Sequence, residues 1–236
     1  MASASTIAPS RVVRLAVPAA SGLAGAIDID DAARGIVFTS PAGSGRPDLL
    51  LGLDLRAPCR AADHWGRGSD VVAVYEPQDA RRLRATAMWR PFPTDDAVAW
   101  ELVASAQTGL EQSDASLAVA CDVAATDVLW ALIDDDGGAR WQPSPPQGDR
   151  SPVAVLARRG STSVLIAGAP ADVRHVVARR TDGRMRVECW LFSTAAEKGV
   201  LFRGRVLAAI GPSTDDAAWA ERLRARHAAA PPVLTT

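Results

Sequence analysis

The spacing of the apolar residues constrains the fold more than any other feature of this sequence. Apolar residues recur with a period of two or in short runs, and clusters of turn-forming residues interrupt them about every ten to fifteen residues. Segments of this kind predict strands over 11–17, 26–30, 35–39, 48–56, 70–76, 81–90, 97–106, 115–123, 127–133, 152–158, 163–168, 172–180, 184–192 and 200–210. Because so many strands exceed one sheet, we expect an all-β protein in which two antiparallel sheets pack as a β-sandwich.

Only the end of the chain carries a helical pattern. The residues from Ser213 to Asp216 offer an N-cap and acids for a first turn, and Trp219 and Leu223 are an apolar pair four residues apart. A short C-terminal helix is therefore expected over about 214–229.

The longest stretch without an apolar pattern is 134–151, which is rich in Asp, Gly and Pro. We expect a long surface loop there, since these residues favour turns. The composition is similar on its two sides, and no internal repeat is recognisable. A single domain over 1–236 is therefore expected.

Charge and composition exclude several classes of function. Lys and Arg total 26 against 27 for Asp and Glu, so the net charge is −1 and we expect neither nucleic acid nor a membrane surface as a partner. The single lysine, Lys198, follows Glu197 rather than a glycine, which excludes a phosphate-binding P-loop. No apolar stretch reaches the roughly 18 residues that a membrane-spanning helix needs. We expect no bound cofactor.

The cysteines indicate the compartment. The three cysteines are far apart in the sequence, and none has a nearby histidine at the spacing of zinc ligands. This pattern predicts neither a structural metal nor a disulfide scaffold. A reducing, cytoplasmic location is expected. The segment 15–26, preceded by Arg11 and Arg14, is an imperfect match to a signal peptide because Pro18 and polar residues interrupt it, so export stays open as the alternative.

The clearest local geometry is a hairpin over 172–192 that turns at Asp182 and Gly183. This dipeptide favours a two-residue turn with positive φ, which fixes the register of the strands. One face then carries Val176, Val187 and other apolar residues and belongs to a core. The opposite face carries an imidazole, a carboxylate, guanidinium groups and an indole. Its members are His175, Val177, Arg179, Arg186, Glu188 and Trp190. Arg203 and Arg205, on the next strand, are expected near Glu188.

Two interpretations of this polar face are open. It is a solvated outer surface with ion pairs between strands, or it is a shallow groove that binds a carbohydrate or a similar polar ligand without catalysis. Sugars present C–H faces to an indole and hydroxyl groups to charged side chains. His64 and Trp65, in what is expected to be a loop over 61–68, are further candidates for ligand binding.

A carbohydrate-active enzyme is the second class of function. His175 and Glu188 lie on one face of paired strands, where they could serve as general acid and base around a sugar ring. This pair is similar in type to the His and Glu of galactose-mutarotase-like β-sandwich enzymes, and that resemblance implies a large β-sandwich fold. Paired carboxylates such as Glu101 and Glu188 are an alternative for glycoside chemistry.

The third class is a structural protein or one that binds another protein through a sheet face or edge. The segments 197–205 and 231–236 resemble uncharacterised bacterial β-rich proteins, and this resemblance implies no activity. His227, near the end of the predicted helix, is interpreted as a favourable charge at its C-terminus.

Overall fold

The computed structural model describes residues 11–15, 23–39, 45–95, 97–134, 138–147 and 150–231. Antiparallel strands dominate it, and one α-helix follows them, so the predicted all-β antiparallel sandwich with a C-terminal helix is confirmed. The strands are β1 (Val12–Arg14), β2 (Ala24–Asp28), β3 (Ile36–Thr39), β4 (Asp48–Asp54), β5 (Cys59–Arg67), β6 (Asp70–Pro77), β7 (Leu83–Phe92), β8 (Val98–Thr108), β9 (Gln112–Asp114), β10 (Leu117–Ala124), β11 (Asp127–Ile133), β12 (Ala139–Gln142), β13 (Ala154–Arg159), β14 (Thr162–Gly168), β15 (His175–Thr181), β16 (Arg184–Phe192), β17 (Ala195–Glu197) and β18 (Phe202–Pro212).

The described strands form two large sheets and one small one. Sheet A has seven strands in the order β1-β2-β3-β4-β10-β16-β15, and sheet B has nine in the order β12-β11-β13-β14-β18-β8-β7-β6-β5. The short strands β9 and β17 pair with each other. The chain crosses from sheet B to sheet A between β14 and β15, so a hairpin of sheet A directly follows a central strand of sheet B.

The core lies between the two sheets because the alternating apolar residues of both face inwards. Trp89 and Trp100 from sheet B are buried there, and Phe38 from sheet A packs on Trp100 with ring centroids 5.0 Å apart. Leu51 has a positive φ of 58° at an irregularity in the pairing of β4 with β10. Its carbonyl accepts a hydrogen bond of 2.9 Å from the Trp89 indole, which satisfies a buried donor.

The helix α1 (Asp216–Ala229) covers part of the outer face of sheet B. The predicted side-chain N-cap is not formed, because Asp215 makes no capping hydrogen bond. The first turn is held instead by Asp216, whose carboxylate accepts hydrogen bonds of 2.7 and 2.6 Å from Arg158 and 2.6 Å from Ser163. Trp219 and Leu223 pack on sheet B, as the apolar pair predicts.

Four strands lie where no strand is predicted: β5, β9, β12 and β17. The expected loop over 61–68 is most of β5, an edge strand of sheet B. The expected loop over 134–151 contains β12, which pairs with β11. Residues 135–137 and 148–149 of that segment, 16–22 of the signal-like segment and 232–236 of the tail lie outside the described residues.

No helix in the described part of the chain is both long enough and apolar enough to cross a membrane.

Candidate functional site

The hairpin of β15 and β16 forms with the predicted register. His175 lies opposite Trp190, Val177 opposite Glu188 and Arg179 opposite Arg186. Asp182 and Gly183 at the turn have φ values of 51° and 73°, which is why this dipeptide favours the turn. We call the outward side of these two strands the hairpin face; its members are His175, Val177, Arg179, Arg186, Glu188 and Trp190.

The hairpin face continues across sheet A onto β10 and β4. Ala118 lies opposite Trp190 and also opposite Asp54, while Ala120 lies opposite Glu188 and also opposite Gly52. The two alanines are buried although they point away from the core. Longer side chains of the neighbouring strands therefore extend over these small residues. We call Ala118, Ala120 and Gly52 the floor of the surface.

Gly52 is required in this floor. A Cβ atom there would lie 2.1 Å from the carbonyl oxygen of Ala33, because the 3-10 turn Ala32–Arg34 passes directly over it. The floor is thus closed at β4, and the open part of the surface lies towards β16 and β15.

Trp190 is stacked by two side chains that come from opposite directions. The His175 ring, on the neighbouring strand, is nearly parallel to it, with centroids 5.5 Å apart and planes 14° apart. The Arg56 guanidinium, which follows β4 on the other side of β10, lies 5.1 Å from the indole centroid. Arg56 has a positive φ of 59°, and its backbone N–H donates to Asp54 at 2.9 Å. This tight turn aims the guanidinium at the indole.

Arg186 and Glu188 of the hairpin face are paired but accessible. Arg186 donates to one carboxylate oxygen of Glu188 at 2.9 Å and lies 4.0 Å from Asp54. The Arg56 guanidinium lies 3.3 Å from a carboxylate oxygen of Asp54. The Arg186 and Glu188 side chains are 51% and 20% exposed, so each pair contributes at most about 1 kcal/mol to stability.

Two concavities flank the Trp190 end of this face. The first, which we call the edge pocket, has a volume of about 210 Å³ and lies where the chain crosses from sheet B to sheet A. His175, Arg174 and Ser151 contribute its polar groups. His175 belongs both to the edge pocket and to the hairpin face, where its ring stacks on Trp190.

The second concavity, which we call the hydroxyl cleft, has a volume of about 400 Å³. It is lined by Gln112, Ser113, Asp114, Ser116, Ser193, Thr194 and Ala195. Ser116 is two residues before Ala118 and Ser193 three residues after Trp190, so the cleft opens at the same end of sheet A.

Within the hydroxyl cleft, Asp114 is held ionised. The Ser116 hydroxyl and backbone N–H donate to one of its carboxylate oxygens at 2.6 and 2.9 Å. These hydrogen bonds outweigh the effect of burial and lower the pKa of Asp114. The cleft therefore presents a carboxylate acceptor beside several hydroxyl groups.

The other two candidate ligand-binding residues lie elsewhere. His64 and Trp65 are on β5, at one edge of sheet B, and not on the hairpin face. Trp65 is 45% exposed, and Trp141 is on β12 at the opposite edge of that sheet. The structure does not bring these indoles to Trp190, so no platform of several tryptophans forms.

A second polar cluster lies under the end of α1. His227 Nε2 is 2.9 Å from a carboxylate oxygen of Glu101, and both side chains are almost fully buried. Arg205 is 3.8 Å from the same oxygen and donates to Asp172 at 2.8 Å, while Arg90 is 3.7 Å from the other Glu101 oxygen. We call these five residues the buried cluster.

The buried cluster corrects three expectations. Arg205 lies in sheet B and pairs with Glu101 and Asp172 rather than lying near Glu188 of sheet A. For the same reason Glu101 and Glu188, in different sheets, do not form a pair across one site. His227 does more than favour a helix end, because its ring is hydrogen-bonded inside the protein. Because 126 residues separate His227 from Glu101, no local sequence pattern predicts their contact.

His175 and Glu188, the expected general acid and base, each contact another side chain of the hairpin face or of the turn beside it. Glu188 is engaged by Arg186, and the His175 ring lies flat against Trp190. Burial raises the pKa of the Cys59 thiol, and it raises that of Cys121 to about 12, which disfavours the reactive thiolate form. Among the described residues, no group of three or more His, Cys, Asp or Glu side chains is placed to hold a metal ion.

Comparisons with known proteins add little to this geometry. No protein-family model matches the sequence, and no curated protein matches it. A solved structure described as a galactose mutarotase related enzyme from Lactobacillus acidophilus is similar over 86% of this chain and 97% of its own, with a TM-score of 0.49 and 9% sequence identity. At this similarity nothing is transferred from that enzyme to this chain.

Proposed function

We propose that this protein binds a carbohydrate, or a ligand equally rich in hydroxyl groups, at the Trp190 end of the hairpin face. One observation carries the proposal. A half-buried aromatic stack, His175 on Trp190, lies at the same end of sheet A as a pocket and a cleft lined by hydroxyl, carboxylate and imidazole groups. Indole or imidazole rings beside such groups suit a sugar, which has apolar C–H faces and hydroxyl edges.

Free hydrogen-bonding capacity at the site supports the proposal. Arg186 occupies one oxygen of Glu188, and the second oxygen has no protein partner among the described residues. In the hydroxyl cleft, Ser193 and Thr194 are exposed. The hydroxyl groups of Ser193 and Thr194 can both donate hydrogen bonds to a sugar and accept them from it. A carboxylate oxygen accepts from a sugar hydroxyl more strongly than a neutral acceptor does.

Ligand stacking requires that Arg56 leaves the indole. Its side chain is 47% exposed, and an exposed cation–π contact is worth about 0.5–1 kcal/mol, so displacement is inexpensive. Arg56 is therefore a cover over Trp190 in the free protein.

Titration calorimetry against a panel of neutral and acidic oligosaccharides tests this function. We expect saturable binding of at least one member, at least tenfold weaker in Trp190→Phe. Trp65→Phe is the matched control, since Trp65 is an exposed indole on the other sheet, and it should bind like the unaltered protein. Absence of binding across the panel, or equal binding by the two variants, would contradict the proposal.

A further inference from the structure

We infer that the ligand is an acidic carbohydrate, and that Arg174 and His175 bind its anionic group in the edge pocket. This inference rests on the proposed function and specifies its ligand class. It starts from the charge of the edge pocket, which differs from that of the rest of the site.

Arg174 is an arginine without a carboxylate partner. Its backbone N–H donates to the carbonyl of Trp190 at 2.8 Å, but its guanidinium forms no ion pair with any described residue. On the hairpin face, by contrast, Arg186 is paired with Glu188 and Asp54, and Arg56 with Asp54. No described carboxylate therefore neutralises the positive charge of Arg174.

Among the residues that the structure describes, none that lines the edge pocket is acidic. The lining residues are Ser151, Pro152, Val153, Gly168, Pro170, Val173, Arg174, His175 and Val176. Arg174 is an exposed residue of this pocket, so its guanidinium is accessible to an anionic group of a ligand. The pocket thus selects for negative charge, unlike the hydroxyl cleft with its Asp114.

Ser151 supplies a further donor. Its oxygen accepts a hydrogen bond of 2.7 Å from the backbone N–H of Val176, while its nearest carbonyl acceptors are 3.4 Å away. The hydroxyl hydrogen is therefore weakly engaged and available to an anionic oxygen. Arg174, His175 and Ser151 together can donate to one carboxylate or sulfate group.

The pocket has a fixed shape and enough room for such a group. A Cβ atom on Gly168 would lie 2.2 Å from a methyl carbon of Val173, so the crossing segment packs closely against β14. The volume of about 210 Å³ is several times the roughly 30 Å³ that one water occupies. An oligosaccharide with one ring in the place of Arg56 on the indole can put the acidic substituent of a neighbouring ring into the edge pocket, on the His175 side of Trp190.

The test compares matched neutral and acidic oligosaccharides by titration calorimetry, for the unaltered protein, Arg174→Gln and Arg84→Gln. Arg84 is the control because it is an exposed arginine on β7 of sheet B, outside the hairpin face and the pocket. We expect uronic-acid or sulfated oligosaccharides to bind at least tenfold more tightly than their neutral counterparts. Arg174→Gln should abolish that preference, and Arg84→Gln should preserve it.

The outcomes separate this inference from the proposed function. Binding of neutral and acidic sugars with equal affinity, or an equal loss in the two arginine variants, would overturn the inference and leave the carbohydrate site standing. Binding of inorganic sulfate as tight as that of the sulfated sugar would also overturn it, because the pocket would then be an isolated anion site. If no sugar binds, the proposed function itself fails.

Discussion

The hairpin face and the buried cluster are built from the same chemical groups and differ in what covers them. Each contains a glutamate and arginines on an outward face of a sheet and a histidine in contact with that face, from β15 in one case and from α1 in the other. On sheet B the helix α1 covers these groups, and His227 and Glu101 are only 1% and 2% exposed. On sheet A nothing among the described residues covers the corresponding groups, and Arg186 remains half exposed.

This difference assigns the two regions different roles. Groups removed from water must satisfy one another, so the buried cluster fixes the position of the helix and offers nothing to a ligand. The ion pairs of the hairpin face stay solvated, contribute little to stability, and can exchange partners when a ligand arrives. Identical side chains are structural under the helix and available on the open sheet.

Replacing the glutamate of each region gives the largest expected contrast. Glu101→Gln should lower the free energy of unfolding by about 3 kcal/mol, since it leaves Arg205 buried beside a neutral amide. The matched variant Glu188→Gln should lower it by less than about 1 kcal/mol. Urea denaturation of the two variants measures both effects, and similar losses would remove the distinction between the two regions.

The carboxylate of Asp216 holds the first turn of α1, the helix that covers the buried cluster, so its contribution to stability depends on pH. Burial raises its pKa, but the hydrogen bonds from Arg158 and Ser163 outweigh burial and lower it below the ordinary value of 3.8. The carboxylate therefore stabilises the folded state fully above the pKa of an unfolded aspartate, and this contribution is lost as the pH falls through the lower, folded pKa.

Asp216→Asn should consequently lower the free energy of unfolding by about 2 kcal/mol near neutral pH. Denaturation at about pH 3 should show a smaller difference between the variant and the unaltered protein, because protonation removes the same charge. A difference that is independent of pH would show that the charge of Asp216 does not hold the helix.

Arg56→Ala sharpens the account of the hairpin face and has the smallest expected effect on stability. The free energy of unfolding should change by less than about 1 kcal/mol, and sugar affinity should rise several-fold because the indole is already uncovered. The control Arg60→Ala removes an exposed arginine of sheet B and should leave affinity unchanged. Loss of binding in Arg56→Ala would instead make Arg56 a ligand contact.

Sequence reasoning succeeded where local chemistry determines structure. The period-two segments predict all the long strands except β5, and Asp182 with Gly183 predicts the register that places His175 opposite Trp190. It missed β5 because most residues of that strand are exposed on both faces, so burial does not alternate along it. Only its hydrogen bonds to β6 define it as a strand.

The rest of the site depends on contacts between distant segments. Arg56 reaches Trp190 from across β10, and Ser116 joins the cleft with Ser193 only once β10 and β16 have paired. The burial of Glu101 is decided by the helix at the other end of the chain. No pattern within either segment predicts these neighbours, because burial depends on how the sheets and the helix assemble.

The central claim is that the open face of sheet A, and no other indole-bearing surface, binds the ligand. Nuclear magnetic resonance of the protein labelled with ¹⁵N tests this claim directly, because each of the seven tryptophans contributes one indole N–H signal. The missing signal in Trp190→Phe assigns Trp190. Titration with the tightest-binding oligosaccharide should move the Trp190 signal and leave that of Trp65 unchanged. A Trp190 signal that stays fixed at saturation, or a shift of Trp65 in its place, would contradict the account.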